Sequence, residues 1–109
     1  MIAYDDELAD RIRHVLGPRA SEEKNMFGGL AFLFDGNMAV GVLGEDLVAR
    51  VGPDAEEESL ALPGARPMDF TGRPMKGWIF VESGAVSEDD ALGSWIDRCL
   101  DFVGTLEPK

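Results

Sequence analysis

Apolar residues recur with a helical period near both ends of the chain and with a period of two between them. Near the N-terminus, four of them form one stripe and predict a helix over residues 5–16. They are Leu8, Ile12, Val15 and Leu16. A longer stripe follows Ser87 and Asp90, which are spaced as a capping box, and predicts the last helix. Its members are Leu92, Trp95, Ile96, Cys99, Leu100, Val103 and Leu106.

The middle of the chain has the alternation of β-strands. Between residues 26 and 51, Asp35-Gly36 separates two apolar runs, a strong hairpin signal because glycine accepts the positive φ of the turn. Gly44-Glu45-Asp46 marks a second turn, so three antiparallel strands are predicted. A short acidic helix, ending before Pro63-Gly64, leads to a strand over residues 68–70 and a last strand over residues 75–82.

These elements follow the order α-β-β-β-α-β-β-α. Few helices and short strand connections predict an α+β fold in two layers, with an antiparallel five-stranded sheet and the helices packed on one face. At 109 residues the chain fits one domain, residues 1–109. The apolar content of 45 % is that of a protein with an ordinary core.

The composition narrows the classes of function. The net charge is −11, which argues against direct nucleic-acid binding, because such binding requires a basic surface that neutralises the phosphates. Residues 59–81 nevertheless carry a local balance of +2, from Arg66, Arg73 and Lys76 against Asp69. That segment is either a solvated face or a patch for an acidic partner. No apolar run is long enough for a membrane span and no signal peptide is evident, so we expect a cytoplasmic protein.

The titratable residues do not form a complete catalytic or metal-binding set in the sequence. Cys99 lies on an apolar stripe, so we expect a buried, inert thiol. His14 is expected to have a surface or capping role near the end of a helix. The acidic runs 56–58 and 88–90 are expected to be surface runs in first helical turns. A proton-transfer site of Asp69, Arg73 and Lys76 stays open as a minor alternative, but we expect no enzyme activity and no cofactor.

Two stretches are the candidate interaction surface. In the first, a glycine pair precedes a strand rather than a helix, so we expect a tight backbone entry more than a phosphate loop. Its residues are Lys24, Met26, Phe27, Gly28 and Gly29. The second is a hairpin that is dense in Met, aromatic and basic residues, as many interaction surfaces are, although it also fits an ordinary core hairpin. Its residues are Arg66, Arg73, Met75, Lys76 and Trp78.

The same stretches resemble the N-terminal domain of the TfoX/Sxy proteins. The similar motifs are Lys24-x-Met26-Phe27-Gly28-Gly29, Asp35-Gly36-Asn37-Met38, Asp46-Leu47-x-x-Arg50-Val51, Met68-Asp69-Phe70, Met75-Lys76-Gly77-Trp78 and Trp95-Ile96-Asp97-Arg98. The resemblance implies a two-layer α+β domain and a bacterial regulator of competence and transcription without a known enzymatic reaction. It supplies no catalytic or ligand residues. Full-length members add a C-terminal helical domain, so we expect this chain to be a stand-alone N-terminal module.

Three functions are compatible with these observations. The first is a regulatory or adaptor domain that binds a protein partner, with a homodimer as one form. The second is a small-molecule or phosphate-binding module, which requires Arg50, Arg66, Arg73 and Lys76 to converge around the glycine pair. The third is DNA binding through the local +2 patch, which the acidic balance of the whole chain disfavours.

Overall fold

The computed structural model describes residues 4–17, 22–26, 28–69 and 74–107. It has three helices on an antiparallel sheet, with short 3₁₀ turns at Pro53–Ala55 and Ser83–Val86. In chain order the helices and strands are α1 (Asp6–Leu16), β1 (Glu22–Met26), β2 (Gly29–Phe34), β3 (Asn37–Leu43), β4 (Asp46–Arg50), α2 (Glu56–Leu60), β5 (Ala65–Asp69), β6 (Pro74–Val81) and α3 (Asp89–Val103). The α+β class with an antiparallel sheet is confirmed.

In the described part of the chain the sheet has six strands, in the order β1-β2-β3-β4-β6-β5, so the prediction of five strands was wrong by one. The missed strand is β1, in which residues 22–25 are polar and exposed. It lacks the apolar alternation that identifies a strand, because it is an edge strand that pairs only with β2. Backbone hydrogen bonding, rather than side-chain burial, holds it in the sheet.

The predicted hairpin between β2 and β3 is confirmed. Asp35 has φ of 51° and Gly36 has φ of 82°. Two positive φ values at the centre of a two-residue loop are the signature of a type I′ turn, whose twist matches that of the strands it joins. Beyond the turn, Phe32 pairs with Val40 and Leu33 with Met38, so one extra residue of β3 forms a bulge.

The helices cover one face of the sheet and enclose the main core. Leu8, Ile12 and Leu16 of α1 are buried there. From α3 the buried residues are Leu92, Trp95, Ile96, Cys99 and Val103, which confirms most of both predicted stripes. Asp5 caps α1, its carboxylate accepting hydrogen bonds from the backbone N–H groups of residues 7 and 8.

The predicted capping box of α3 was wrong. The helix begins at Asp89 after Glu88, which makes no side-chain capping bond. The Ser87 hydroxyl instead donates to the Gly84 carbonyl and closes the preceding 3₁₀ turn. The sequence spacing is compatible with either arrangement, and the 3₁₀ turn engages the serine before the helix starts.

The opposite face of the sheet, which the helices do not cover, carries a second apolar cluster. Its buried members are Ala31, Leu33, Met38, Val48 and Met68. Leu43, Trp78 and Phe80 are half-buried against them. As predicted, Trp78 and Phe80 point away from Ile79 and Val81, which lie in the main core. Both faces of the sheet are therefore apolar, and the second face carries both aromatic residues of β6.

Candidate functional site

One row of side chains crosses the second face from edge to edge. Strand pairing aligns six residues in this row, one from each strand: Lys24, Ala31, Gly41, Val48, Phe80 and Arg66. Directly paired residues present their side chains on the same face of a sheet. The row thus has small or apolar residues in its middle and an exposed cation at either edge. At about 4.8 Å per strand, the backbones of the two edge strands are about 24 Å apart.

The Arg66 side chain contacts two residues of its own sheet. Its guanidinium lies over the Phe80 ring, 5.0 Å from the ring centroid, and Nη2 donates to the Asp46 carboxylate at 2.6 Å. Arg66 belongs to β5 and Asp46 to β4, so the side chain crosses the intervening strand β6 to make this ion pair. The positive charge of Arg66 is therefore largely neutralised within the chain.

Arg50 is held differently. It pairs with Trp78 in the β4–β6 register, and its guanidinium carbon is 5.1 Å from the Trp78 ring and 5.4 Å from the ring of Phe102 in α3. Nη1 donates to the Met38 carbonyl at 3.2 Å. No carboxylate of the described residues forms an ion pair with it. Burial lowers the pKa of Arg50 from its ordinary value, since desolvation disfavours the cation.

The remaining residues of the second stretch lie beside Arg50. Strand β6 extends past the end of β4, so Met75 and Lys76 stand beyond the Arg50–Trp78 pair and are exposed. Met75 is 36 % exposed, the one large apolar side chain classed as exposed on the described part of the surface. Gly77 follows with φ of +87°, and a side chain there would collide with the backbone at Gly52. The backbone N–H of Gly77 donates to the Glu56 carboxylate at 2.9 Å.

The glycine pair forms the β1–β2 hairpin. Met26 and Gly29 are the closing pair, and Gly28 has φ of +80° with open space around its Cα. This is the tight backbone entry that we expected, although it closes a hairpin with a strand that the sequence did not reveal. Gly28 is exposed and Gly29 is buried. Phe27, like Arg73 of the other stretch, lies outside the described residues.

The two predicted stretches do not form one surface. The hairpin at Gly28 lies at the β1 edge and at the end of the sheet opposite to Trp78. Strands β1 and β6 are four places apart, or about 19 Å. Arg66, Met75, Lys76 and Trp78 remain together on β5 and β6. The described members of the proposed phosphate set, Arg50, Arg66 and Lys76, therefore lie far from the glycine pair.

The residues weighed for catalysis are accounted for structurally. Cys99 is fully buried, and burial raises its pKa to about 12. His14 is exposed in the last turn of α1, beside a groove between α1 and α3. The acidic runs are mostly exposed, but the Glu56 carboxylate is engaged by Gly77. The alternative that requires Arg73 reaches outside the described residues and stays untested.

A cavity of about 370 Å³ lies between the chain after β4 and the C-terminal half of α3. Its floor is apolar, from Val51, Pro53, Ala55 and Phe102. Three carboxylates and one guanidinium also line it, from Asp54, Glu58, Asp101 and Arg98. Arg98 Nε is buried and has no hydrogen-bond partner among the described residues. With three acids to one cation, this cavity disfavours an anionic ligand.

Among the described residues, no group of three His, Cys, Asp or Glu side chains converges on a position for a metal ion. The described helices include none with the length and apolar content of a membrane span.

The contact between Arg50 and Phe102 was not predicted from the sequence. Arg50 appeared only in a shared motif and in the phosphate alternative, and Phe102 was not considered. Phe102 occupies a half-buried position of α3, where neither periodicity nor charge signals a contact with a β4 arginine. Phe102 contacts Arg50 because α3 packs across the end of the sheet.

Comparison with known proteins gives one match. The model of the TfoX N-terminal domain matches residues 16–103, which is most of the chain. No curated protein and no solved structure is significantly similar to it. The match includes the β1–β2 hairpin, the Asp-Gly turn, Arg50 and the β5–β6 hairpin, the motifs on which the sequence resemblance depends. The chain belongs to the TfoX N-terminal domain family.

Proposed function

We propose that this chain is a non-enzymatic regulatory or adaptor module of the bacterial cytoplasm that binds another protein through the side of its sheet formed by β5 and β6. The observation that carries the proposal is the exposed Met75 beside Lys76, in the same strand as the half-buried Trp78. Met, Trp and Arg are enriched at protein interfaces, where they combine apolar contact area with directional hydrogen bonding.

Family membership supports a role in regulation rather than in chemistry. TfoX-type proteins regulate competence and transcription, and we extend to this chain the idea that it acts on a protein in such a process. The acidic balance of the chain supports a protein as the partner over DNA. The neutralisation of Arg66 by Asp46 further reduces the basic character of the β5–β6 side.

Both edge strands of the sheet are protected against pairing with a strand of the partner. The partner is therefore expected to bind to side chains and not to add a strand to the sheet. Edge strand β1 presents the charged residues Glu22, Glu23 and Lys24. Edge strand β5 carries Arg66 and Pro67, and proline cannot donate a hydrogen bond to an added strand. Charged side chains and proline are the usual protection against pairing with another chain. We therefore place the partner on exposed side chains of β6.

The proposal is tested by capture and reconstitution. The full chain is used as bait in a soluble extract of the source cells, and a captured protein is purified and mixed with the chain to measure a Kd. Lys76→Glu is expected to weaken the reconstituted complex at least about tenfold, because a rim charge is reversed. Glu57→Lys, an exposed charge reversal on α2, is the matched control and should change the Kd less than about twofold.

Two results would contradict the proposal. One is equal binding by the wild-type chain and the Lys76→Glu variant. The other is an absence of any saturable protein complex together with retardation of duplex DNA in gel-shift experiments at low salt, which favours the DNA alternative. Light scattering of the chain alone shows in addition whether the captured partner is a second copy.

A further inference from the structure

The described arginines differ in how their charge is balanced. Arg11, Arg13 and Arg66 each form an ion pair with a carboxylate, at distances between 2.5 and 3.1 Å. Arg98 lies in the cavity that three carboxylates line. Arg50 has neither arrangement, although it is half-buried and positioned by contacts with three other residues.

Those contacts hold the guanidinium in place, but they leave most of its N–H groups without a hydrogen bond to a described residue and its charge without an ion pair. Trp78 and Phe102 restrain it through their rings, and the Met38 carbonyl accepts one hydrogen bond, from Nη1. Among the described residues, no hydrogen bond is formed by Nε or Nη2 of Arg50. These two nitrogens form the side edge of the guanidinium, whose parallel N–H groups match the two oxygens of a carboxylate.

We propose that Arg50, Trp78 and Phe102 form a niche that binds a single Asp or Glu side chain of the protein partner. This inference rests on the proposed function and names the chemistry by which the partner is recognised. The arginine is preorganised between two rings, so little side-chain entropy is lost when a carboxylate arrives. The partner carboxylate would supply the anion that the described part of this chain does not provide for Arg50.

The surroundings restrict the partner segment further. The whole chain has a net charge of −11, which repels a polyanionic segment. Lys76 and the apolar Met75 are exposed on the strand that carries Trp78. The segment that fits is therefore one with an isolated carboxylate between apolar residues. A phosphate group fits less well, because one guanidinium offers it few donors in an acidic surface.

The test is a titration of the full chain with two peptides, followed by NMR. The first probe is acetyl-Lys-Leu-Glu-Leu-Lys-amide, and the second has Gln in place of Glu. The Arg50 Nε–H and Trp78 indole N–H resonances report on the niche, and the indole of the buried Trp95 serves as an internal reference. The Glu peptide is expected to shift the first two resonances saturably, with a Kd at least about tenfold lower than that of the Gln peptide.

Variants locate the effect. Arg50→Met should remove the difference between the two peptides, and Arg50→Lys should reduce it, because lysine keeps the charge and loses the planar fork. Arg11→Met is the matched control, since that arginine is also half-buried but is already paired with Asp89 and lies on α1, on the helical face of the sheet. It should leave the difference unchanged. If Arg50→Met does not fold, the wild-type comparison of Glu with Gln and the Arg50→Lys variant still decide the matter.

Three outcomes would overturn the niche. They are equal binding of the Glu and Gln peptides, a preference for Glu that persists in Arg50→Met, and tighter binding of inorganic phosphate than of the Glu peptide at the same ionic strength. A captured partner whose binding Lys76→Glu weakens and Arg50→Lys does not would also overturn the niche, while the proposal of protein binding would stand. A selective Glu response supports the niche independently of whether a partner has been captured.

Discussion

Ser59 shows at the scale of one residue how the fold tolerates a polar group in its interior. This serine of α2 is fully buried, and its hydroxyl has no hydrogen-bond partner in the described part of the chain. A buried hydroxyl without a partner costs free energy because its hydrogen bonds to water are lost on folding. A methyl group at the same position has no such cost.

Ser59→Ala is therefore expected to stabilise the protein. The gain in the free energy of unfolding should exceed that of Ser94→Ala, an exposed serine of α3, by about 1–2 kcal/mol. The control has the same chemical change and the same gain in helix propensity, about 0.5 kcal/mol. Urea denaturation of both variants measures the difference. Equal effects, or a loss of stability in Ser59→Ala, would show that the hydroxyl is satisfied in solution.

Cys99 illustrates how burial controls reactivity. Its side chain is fully buried in the main core, and the pKa is raised to about 12 because burial disfavours the thiolate. Nucleophilic reaction of a cysteine requires the thiolate and access to the reagent, and this position supplies neither at neutral pH.

The native chain is expected to be inert to a disulfide-exchange reagent such as 5,5′-dithiobis(2-nitrobenzoate) at pH 8. The thiol should react fully once the protein is unfolded in guanidinium chloride, which serves as the control for reagent and stoichiometry. Absorbance at the wavelength of the released thiolate follows both reactions. Reaction of the native chain within minutes would contradict the buried position of Cys99.

At the scale of elements, the packing of α3 across the end of the sheet requires a glycine. Gly52 has φ of +85°, and a Cβ atom there would overlap the Phe102 ring. Gly44, in the turn between β3 and β4, also has a positive φ of +60° but has open space around it. Both positions have a positive φ, but the ψ of 158° at Gly52 lies in a region that is essentially restricted to glycine, and Gly52 also approaches α3 closely.

Gly52→Ala should consequently be more destabilising than Gly44→Ala, by about 1–3 kcal/mol in the free energy of unfolding. Alanine is strained at positive φ in both variants, and the strain is larger at Gly52 because of its ψ of 158°. Only Gly52→Ala must also displace Phe102. The same displacement should change the Trp78 indole resonance, since both rings contact Arg50. A Gly52→Ala variant as stable as Gly44→Ala would argue against this packing of α3.

The elements that could be predicted are those with a buried face. The spacing of apolar residues predicted both long helices and five strands, and the Asp35-Gly36 dipeptide predicted the turn between two of them. Strand β1 could not be predicted, because its residues are polar and its place in the sheet depends on backbone pairing with β2. The interaction residues were predicted from composition, which cannot indicate that the Gly28 hairpin and Trp78 lie at opposite ends of the sheet.

An ion pair also joins elements that are adjacent in the chain. Arg13 of α1 donates to the Glu23 carboxylate of β1 through Nε and Nη2, both at 2.7 Å. The hydrogen bond to Arg13 lowers the pKa of Glu23. Both side chains are substantially exposed, so the contribution to stability is small, about 0–1 kcal/mol. The pair helps to orient the edge strand rather than to hold the fold together.

At the scale of the whole molecule, the chain is acidic, and Arg50 is held between two aromatic rings without an ion pair to any described residue. Helices cover one face of the sheet, and the other face ends at Arg50, Trp78 and the exposed Met75 and Lys76. Because these residues combine apolar area with positive charge, we expect a protein partner to bind on the β5–β6 side. The β1 edge and the outer surface of α3 lie away from that side and should be free in the complex.

Site-specific photo-crosslinking in the source cells tests this central claim most directly. Benzoylphenylalanine is introduced at position 75 or 76 on the β5–β6 side, and at position 94 on α3 as the matched exposed control. The account predicts that positions 75 and 76 crosslink to one and the same protein and that position 94 does not. Crosslinking of that protein from position 94 alone, or of nucleic acid from position 75, would contradict it.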